Sequence, residues 1–264
     1  MEFHYATFGI WNLKYWNLLK NIGILFMIFK FKQFSVQQEK SAMKVGTDGV
    51  LLGAWTPLIN NPYNILDIGA GTGIISLMLA QRSFSEQIDA IEIEENAYEE
   101  CVDNFENSPW ADRLYCYHAG LDEFVAELEE IEEQYDIIVS NPPFYSEDYK
   151  TDNASRDLAR FTDALPFDEL IEAAYLLLSE NGIFSVIIPY SAEEDFIALA
   201  KQSLLFPLKI TRVKGTPTSE IKRSLLAFTL IEQTPIIDEL IIETARHQYT
   251  PEYIELTKDF YLKM

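Results

Sequence analysis

From Asn64 onward, short apolar runs alternate with longer stretches in which apolar residues recur every three or four positions. "NILDIG" (64–69), "QIDAIEI" (87–93), "LYCYHA" (114–119), "YDIIVS" (135–140) and "IFSVIIP" (183–189) are rich in β-branched residues and short enough to be strands buried on both faces. Between them, "GIISLMLAQRS" (73–83), "EENAYEECVDNFENS" (94–108), "FDELIEAAYLLLSENG" (167–182) and "AEEDFIALAKQS" (192–203) carry helical periodicity. The second of these has acids in its first turn, where the helix dipole favours them, and the third is expected to end on Gly182 as its C-cap. "PLKITRVKG" (207–215) and "KRSLLAFTLIE" (222–232) follow one another with only "GTPTSEI" shared between them, which predicts an antiparallel hairpin at one edge. The pattern is that of an α/β domain: a mostly parallel seven-stranded sheet, helices on both faces, and an antiparallel edge hairpin.

No repeat and no Gly/Ser/Pro linker divides the 264 residues. Residues 27–264 are expected to form one domain, with 27–60 an N-terminal segment and 61–264 the core. Residues 145–165 are polar and without clean periodicity, which predicts a long loop. Residues 1–26 differ from the rest. They are rich in Trp, Phe, Leu and Ile, but the longest uncharged apolar run there, Ile22 to Phe29, falls far short of a membrane span. They lack the early basic region and cleavage site of a signal peptide, so they read as an upstream extension with Met27 as the expected start; an amphipathic surface helix is the alternative. No membrane partner is expected.

Charge complicates the choice of partner. The net charge of −22 argues against nucleic acid and favours solubility. Yet residues 1–47 carry a net +4, leaving −26 on the other 217, and Lys209, Arg212, Lys214, Lys222 and Arg223 form a second basic cluster. The two cysteines, Cys101 and Cys116, neither frame a disulfide scaffold nor have metal-ligand spacing, so a reducing cytoplasm and no metal are expected. No role is assigned to His4, His118 or His247.

"LDIGAGTG" is the first chemical signal. Gly69, Gly71 and Gly73 fall where a strand hands over to a helix, so a ligand can approach bare backbone near exposed N–H groups. The spacing is G-x-G-x-G rather than the dinucleotide G-x-G-x-x-G, because position 74 is Ile. Asp67 precedes the turn, badly placed for a pyrophosphate but well placed for a cation, and Glu92 ends the next strand 19 residues after Gly73, where an acid takes ribose hydroxyls. These acids suit S-adenosylmethionine, with its ammonium and sulfonium, better than NAD; a structural turn with incidental acids is the plain alternative.

"NPPF" is the second signal. Ligands of such sheets sit beyond the carboxyl ends of the strands, so Asn141-Pro142-Pro143-Phe144 opens beside the glycine turn. Asn141 offers an amide oxygen, Pro142 and Pro143 present carbonyls on a stiff backbone, and Phe144 offers a ring face. Two acceptors and a stacking surface receive a planar group bearing an exocyclic NH2, and orientation rather than a strong base then drives the reaction. A proline-stiffened structural loop is the alternative.

This order of motifs resembles the class I methyltransferases that act on planar amino or amide nitrogens. They include adenine-N6 enzymes of DNA and RNA and the enzymes that methylate glutamine in translation release factors. A closer resemblance rests on "FKQFSVQQEKSAMKVGTDGVLLGAW" (31–55), "LDIGAGTGIISLMLAQR" (66–82), "IIVSNPPFY" (137–145), "RVKGTPTSEIKRSLLAF" (212–228) and "YTPEYIELTKDFYL" (249–262). Together these are similar to the bacterial tRNA (adenine-N6)-methyltransferases that modify the adenine next to the anticodon of valine tRNA. The resemblance runs from about residue 28 to the end and leaves 1–26 unmatched. It implies a Rossmann-like class I methyltransferase fold, S-adenosylmethionine as donor with S-adenosylhomocysteine as product, and a tRNA substrate. It would place Thr47 and Asp48 near the cofactor, although both are equally good N-caps for a helix over Val50 to Trp55. Lys30, Lys32, Lys40, Lys44, Arg212, Lys214, Lys222 and Arg223 become candidate phosphate contacts. Where such enzymes often carry an acid after the third strand, this chain has Gly120. Either Asp122 replaces that acid or the backbone of Gly120 and Leu121 suffices. A monomer is expected. The rival substrates are a protein glutamine and a duplex DNA adenine. The acidic surface fits the first; the absence of a sizeable insertion for reading a duplex speaks against the second. A non-catalytic nucleotide-binding module is the rival of another class.

Overall fold

The computed structural model describes residues 28–143 and 165–264. The N-terminal extension, Phe144 and residues 145–164 of the expected loop lie outside the described residues. A small antiparallel pair, β1 (Ile28–Lys30) and β2 (Ser35–Gln37), leads into α1 (Thr47–Trp55). The alternation then runs β3 (Asn64–Ile68), α2 (Ile74–Arg82), β4 (Gln87–Glu92), α3 (Glu95–Glu106), β5 (Leu114–His118), α4 (Leu121–Glu130) and β6 (Tyr135–Ser140). Beyond residue 164 come α5 (Phe167–Leu177), β7 (Leu178–Pro189), a 3₁₀ turn (Tyr190–Ala192), α6 (Glu193–Gln202), β8 (Phe206–Lys214), β9 (Ile221–Thr229) and β10 (Ile236–Ile241). A short hairpin, β11 (Glu243–Ala245) with β12 (Gln248–Tyr249), and α7 (Pro251–Thr257) complete the chain.

The strand order is β10-β8-β9-β7-β6-β3-β4-β5. The five strands from β7 to β5 are parallel, and β9 runs antiparallel to both β7 and β8. The sheet is therefore one strand wider than the seven expected, and the hairpin β8–β9 is not its edge: β10 pairs parallel to β8 outside it. β10 escapes a hydrophobic reading because it is an edge strand, in which Leu240 alone is buried and Asp238 and Glu239 interrupt the apolar run.

A second correction concerns Gly182. It does not cap a helix; α5 ends at Leu177 and passes directly into β7. The pairing moves from Tyr135↔Leu178 to Ile137↔Ile183, so the chain bulges between Leu178 and Ile183. A Cβ on Gly182 would lie 2.7 Å from Leu178, which is why a residue without a side chain sits in that bulge.

Successive strand residues face opposite layers. Ile65, Ile137, Val139, Ile183 and Ile187 pack under α1 and α2, whereas Leu66, Ile68, Ile138, Phe184 and Val186 pack under α4, α5 and α6. Asp67 shares the first of these faces and ends up beside α2. The strand order reverses at β3: β4 and β5 lie to one side, β6 and β7 to the other. The helical connections diverge there, and in sheets of this kind the ligand crevice lies past the ends of such strands, here β3 and β6. Ser140 Oγ donates to the Ile68 carbonyl at 2.9 Å and ties those two ends together.

Candidate active site

The glycine turn follows β3 directly. Gly69, Gly71 and Gly73 have φ of +72°, +56° and +75°, left-handed values that cost other residues energy. The turn is strapped to the end of β4: the N–H groups of Gly69 and Ala70 both donate to the Ile91 carbonyl at 3.0 Å. The three glycines divide by role. A Cβ at Gly69 or Gly71 would meet nothing within 4 Å, so both border open space. A Cβ at Gly73 would lie 2.5 Å from the Phe105 ring and 2.8 Å from Cys101 Sγ, so this glycine lets α2 pack closely on α3.

The two expected acids are there. Glu92, at the end of β4, accepts from the Gly71 N–H at 2.7 Å and from the Glu94 N–H at 2.9 Å. It shapes the loop, and each oxygen keeps a second lone pair for another donor. Asp67 is fully buried: Oδ2 accepts from Ser76 Oγ at 2.7 Å and Ser76 N–H at 3.1 Å, while Oδ1 has no partner. Burial, opposed by the Ser76 hydrogen bonds, pushes its carboxyl up to about 7. Two bare-backbone glycines facing open space and an unpaired buried carboxylate oxygen are what a nucleoside with a cationic amino-acid tail requires, so these residues fit S-adenosylmethionine.

The "NPP" segment leaves the end of β6. Asn141 Oδ1 is buried without a hydrogen-bond partner, Pro142 is buried and Pro143 half-buried. An unpaired buried acceptor costs about 1–3 kcal/mol, and such groups are kept where a ligand completes them. Phe144, the expected stacking ring, lies outside the described residues.

Around the cradle, Gly120 is the N-cap of α4 and Leu121 its first residue. A Gly120 Cβ would lie 2.9 Å from Asp122 Oδ1, so the Asp122 carboxylate folds back over the position where the expected acid is missing. The same Cβ would lie 4.0 Å from Ile93 Cδ1. Ile93, 65% exposed directly after Glu92, sets an apolar side chain beside Gly120; it is not part of either motif, and an apolar residue following an acid at a strand end is the signal that would find it. His118 supports this corner. Its Nε2 lies 3.0 Å from the Ile93 carbonyl and its ring stacks on Tyr98 at 5.1 Å.

Thr47 and Asp48 are not N-caps. Gly46 holds that position without a side-chain bond, which leaves Asp48 in the first turn of α1 to pair with Arg223 at 2.8 Å. The structure brings the candidate phosphate contacts together in part, and most are already engaged. Lys32 donates to the carbonyls of Lys258 and Met264, Lys40 pairs with Glu99 at 2.7 Å, and Lys44 is ringed by the carbonyls of Gln38, Glu39 and Ser41. Arg212 pairs with Glu193 at 2.7 Å, Lys214 with Glu239 at 2.6 Å and Lys222 with Glu220 at 3.6 Å. Lys30 has no such partner among the described residues and is exposed on β1. No group of His, Cys, Asp or Glu that could hold a metal ion occurs among the described residues, and no helix there is long and apolar enough to cross a membrane.

This arrangement is that of a methyltransferase, and the comparisons agree. Residues 51–194 match the family model of the methyltransferase small domain. The chain is similar to a solved structure described as a predicted O-methyltransferase, from Agrobacterium tumefaciens (TM-score 0.63, 19% identity, covering 81% of this chain and 96% of that one), a likeness of fold. It is 70% identical over 238 residues, 90% of this chain and 100% of the relative, to the tRNA1(Val) (adenine(37)-N6)-methyltransferase of Flavobacterium johnsoniae. It is 43% identical over 236 residues, 89% of this chain and 98% of the relative, to the enzyme of the same name from Bacteroides fragilis strain YCH46. The protein is a Rossmann-like class I methyltransferase. Within that class it belongs to the tRNA1(Val) (adenine(37)-N6)-methyltransferase family.

Proposed function

We propose that this protein moves a methyl group from S-adenosylmethionine to the N6 amino group of an adenine in the anticodon loop of tRNA, with valine tRNA the expected substrate. The observation that carries the reading is the buried, partnerless Asn141 Oδ1 beside an open glycine cradle. Asp67, Gly69, Gly71 and Glu92, with Ile93 as an apolar wall and Asp122 beside Gly120 and Leu121, are the residues that would hold the donor. When bound, S-adenosylmethionine supplies a methyl group on a cationic sulfur. Asn141 Oδ1 and the Pro142 carbonyl would accept the two amino hydrogens, turning the N6 lone pair out of the ring plane and toward that methyl. Once N6 is methylated, these two acceptors would keep the amino group oriented while its surplus proton passes to solvent. No strong base is required, and a base drawn from a loop costs less to flip than one in a duplex. Phe144 is the expected stacking ring. Residues 27–264 would form the catalytic unit, acting as a monomer in the cytoplasm.

The test is tritiated methyl transfer to unmodified valine tRNA by the wild type and Asn141→Ala. Label recovered as N6-methyladenosine, and reduced at least a hundredfold in the variant, is expected, since losing one preorganised hydrogen-bond partner of a reacting group typically costs about that much. The acidity of the chain favours a protein substrate as the second reading. Label on a release-factor peptide and none on tRNA would replace the first reading with the second.

A further inference from the structure

Tyr190 is an aromatic residue outside the machinery described so far. It opens the 3₁₀ turn after β7, and 39% of it is exposed. The Arg212 guanidinium lies over its ring, 5.6 Å from the centroid. That guanidinium is itself fixed. Nε and Nη2 donate to Glu193 Oε1 at 3.0 and 2.7 Å, and Glu193 is 3% exposed and takes a further hydrogen bond from Ser224 Oγ. Burying a glutamate at the first position of α6 is costly unless every partner is in place, and here the partners hold an arginine against a solvent-facing ring.

The location gives this arrangement a use. β7 lies next to β6, one strand spacing away, about 5 Å. Ser140 pairs with Val186, so Tyr190 stands three residues beyond the level of Asn141, about 10 Å along the strand direction. It is therefore at the rim of the crevice into which Asn141 opens. An arginine-backed aromatic ring there is the stacking platform that unpaired nucleotides use. Resting on the proposed tRNA reading, we infer that Tyr190 stacks on a nucleotide flanking the flipped adenine, with Arg212, Glu193 and Ser224 holding the ring in place. Asn141 then takes the target base, and Tyr190 sets which loop conformation delivers it.

The test uses the full chain with an anticodon stem-loop of valine tRNA carrying 2-aminopurine on either side of the target adenine. Tyr190→Ala, Tyr190→Phe and Arg212→Met are compared with the wild type for methyl transfer, fluorescence and S-adenosylmethionine affinity. For Tyr190→Ala the expected result is a roughly tenfold rise in KM for the stem-loop, the stacking contribution of one base, with kcat, cofactor affinity and melting temperature unchanged. Quenching of one flanking 2-aminopurine should be lost in Tyr190→Ala, retained in Tyr190→Phe and weakened in Arg212→Met. Unchanged KM and quenching in Tyr190→Ala would overturn the inference, and so would a loss confined to kcat or melting temperature. Failure of the wild type to methylate the stem-loop or tRNA at all would instead count against the substrate reading.

Discussion

Gly71 and Gly73 share a left-handed backbone but face different surroundings, so the same substitution should read out differently. Alanine at either position costs about 1–2 kcal/mol of backbone strain. At Gly73 its Cβ also collides with Phe105 and Cys101, so Gly73→Ala should lose about 3 kcal/mol of stability in denaturant titrations. Gly71→Ala should lose only the strain, but its methyl enters the open cradle and should weaken S-adenosylmethionine binding about tenfold by calorimetry. Asp67 adds a pH signature. Its folded-state carboxyl is raised to about 7, so the folded protein holds a proton that the unfolded chain has already released above about pH 4. The stability it contributes is full below that pH and is lost as pH rises to about 7. Asp67→Asn should therefore gain stability relative to the wild type across that window. A cationic ligand near Oδ1 favours the ionised form, so cofactor affinity should rise up to about tenfold from pH 6 to pH 8 in the wild type beyond any rise in Asp67→Asn. Identical pH profiles for the two proteins would place the cofactor's cation elsewhere.

At the scale of elements, the segment between β2 and α1 is held by α3 rather than by its own propensity. The buried Glu100 carboxylate accepts from the N–H groups of Glu39, Lys40 and Ser41 and from Ser41 Oγ, and Asn104 bridges Gln37 to the Thr72 carbonyl in the glycine turn. Burial raises the Glu100 pKa, but the Ser41 hydroxyl and the three backbone bonds outweigh it and leave the carboxyl below its usual value. Glu100→Gln keeps the shape and loses the charge. In hydrogen exchange, amides 39–41 should lose protection while those of β3 keep theirs; equal loss in both would mean global rather than local loosening. Such long-range ties mark the boundary of what the sequence discloses. The apolar runs of β3, β4, β6 and β9 announce themselves because both faces of each strand are buried. β10 does not, because an edge strand carries Asp238 and Glu239. Helix α4 is hard to read from the sequence, because Phe124, Val125 and Leu128 form a narrow buried face among five acidic residues of ten. At the site, residue types are legible from spacing alone: Asp67 before the turn, Glu92 at the end of the next strand, Asn141 just past the strand Tyr135–Ser140. That Asp67 and Asn141 each keep one partnerless oxygen is visible only in three dimensions, and so is the packing role of Gly73, which depends on neighbours 28 and 32 positions away.

For the whole molecule, the question is how a chain of net charge −22 meets a polyanion. The proposed reading needs a surface on which phosphates are tolerated, yet Lys40, Lys209, Arg212, Lys214, Lys222 and Arg223 all have acidic partners within the molecule. A paired cation must give up its carboxylate before it can contact a phosphate. Few of these residues are therefore available to displace the counterions condensed on the RNA, whose release makes nucleic-acid affinity fall steeply with salt. If all eight candidate residues engaged phosphates, the slope of log K against log salt would be about −6 to −7, from about 0.7–0.9 per phosphate. With most of them spent internally, stacking and base contacts must carry the affinity, and a slope no steeper than about −3 is expected for unmodified valine tRNA between 50 and 200 mM salt. Filter binding measures it directly. A slope near −7 would mean that the internal ion pairs open when RNA arrives. In that case Asp48→Asn, which removes one acidic partner of Arg223 at little steric cost, should tighten binding; with a shallow slope the same substitution should leave affinity within about twofold of the wild type.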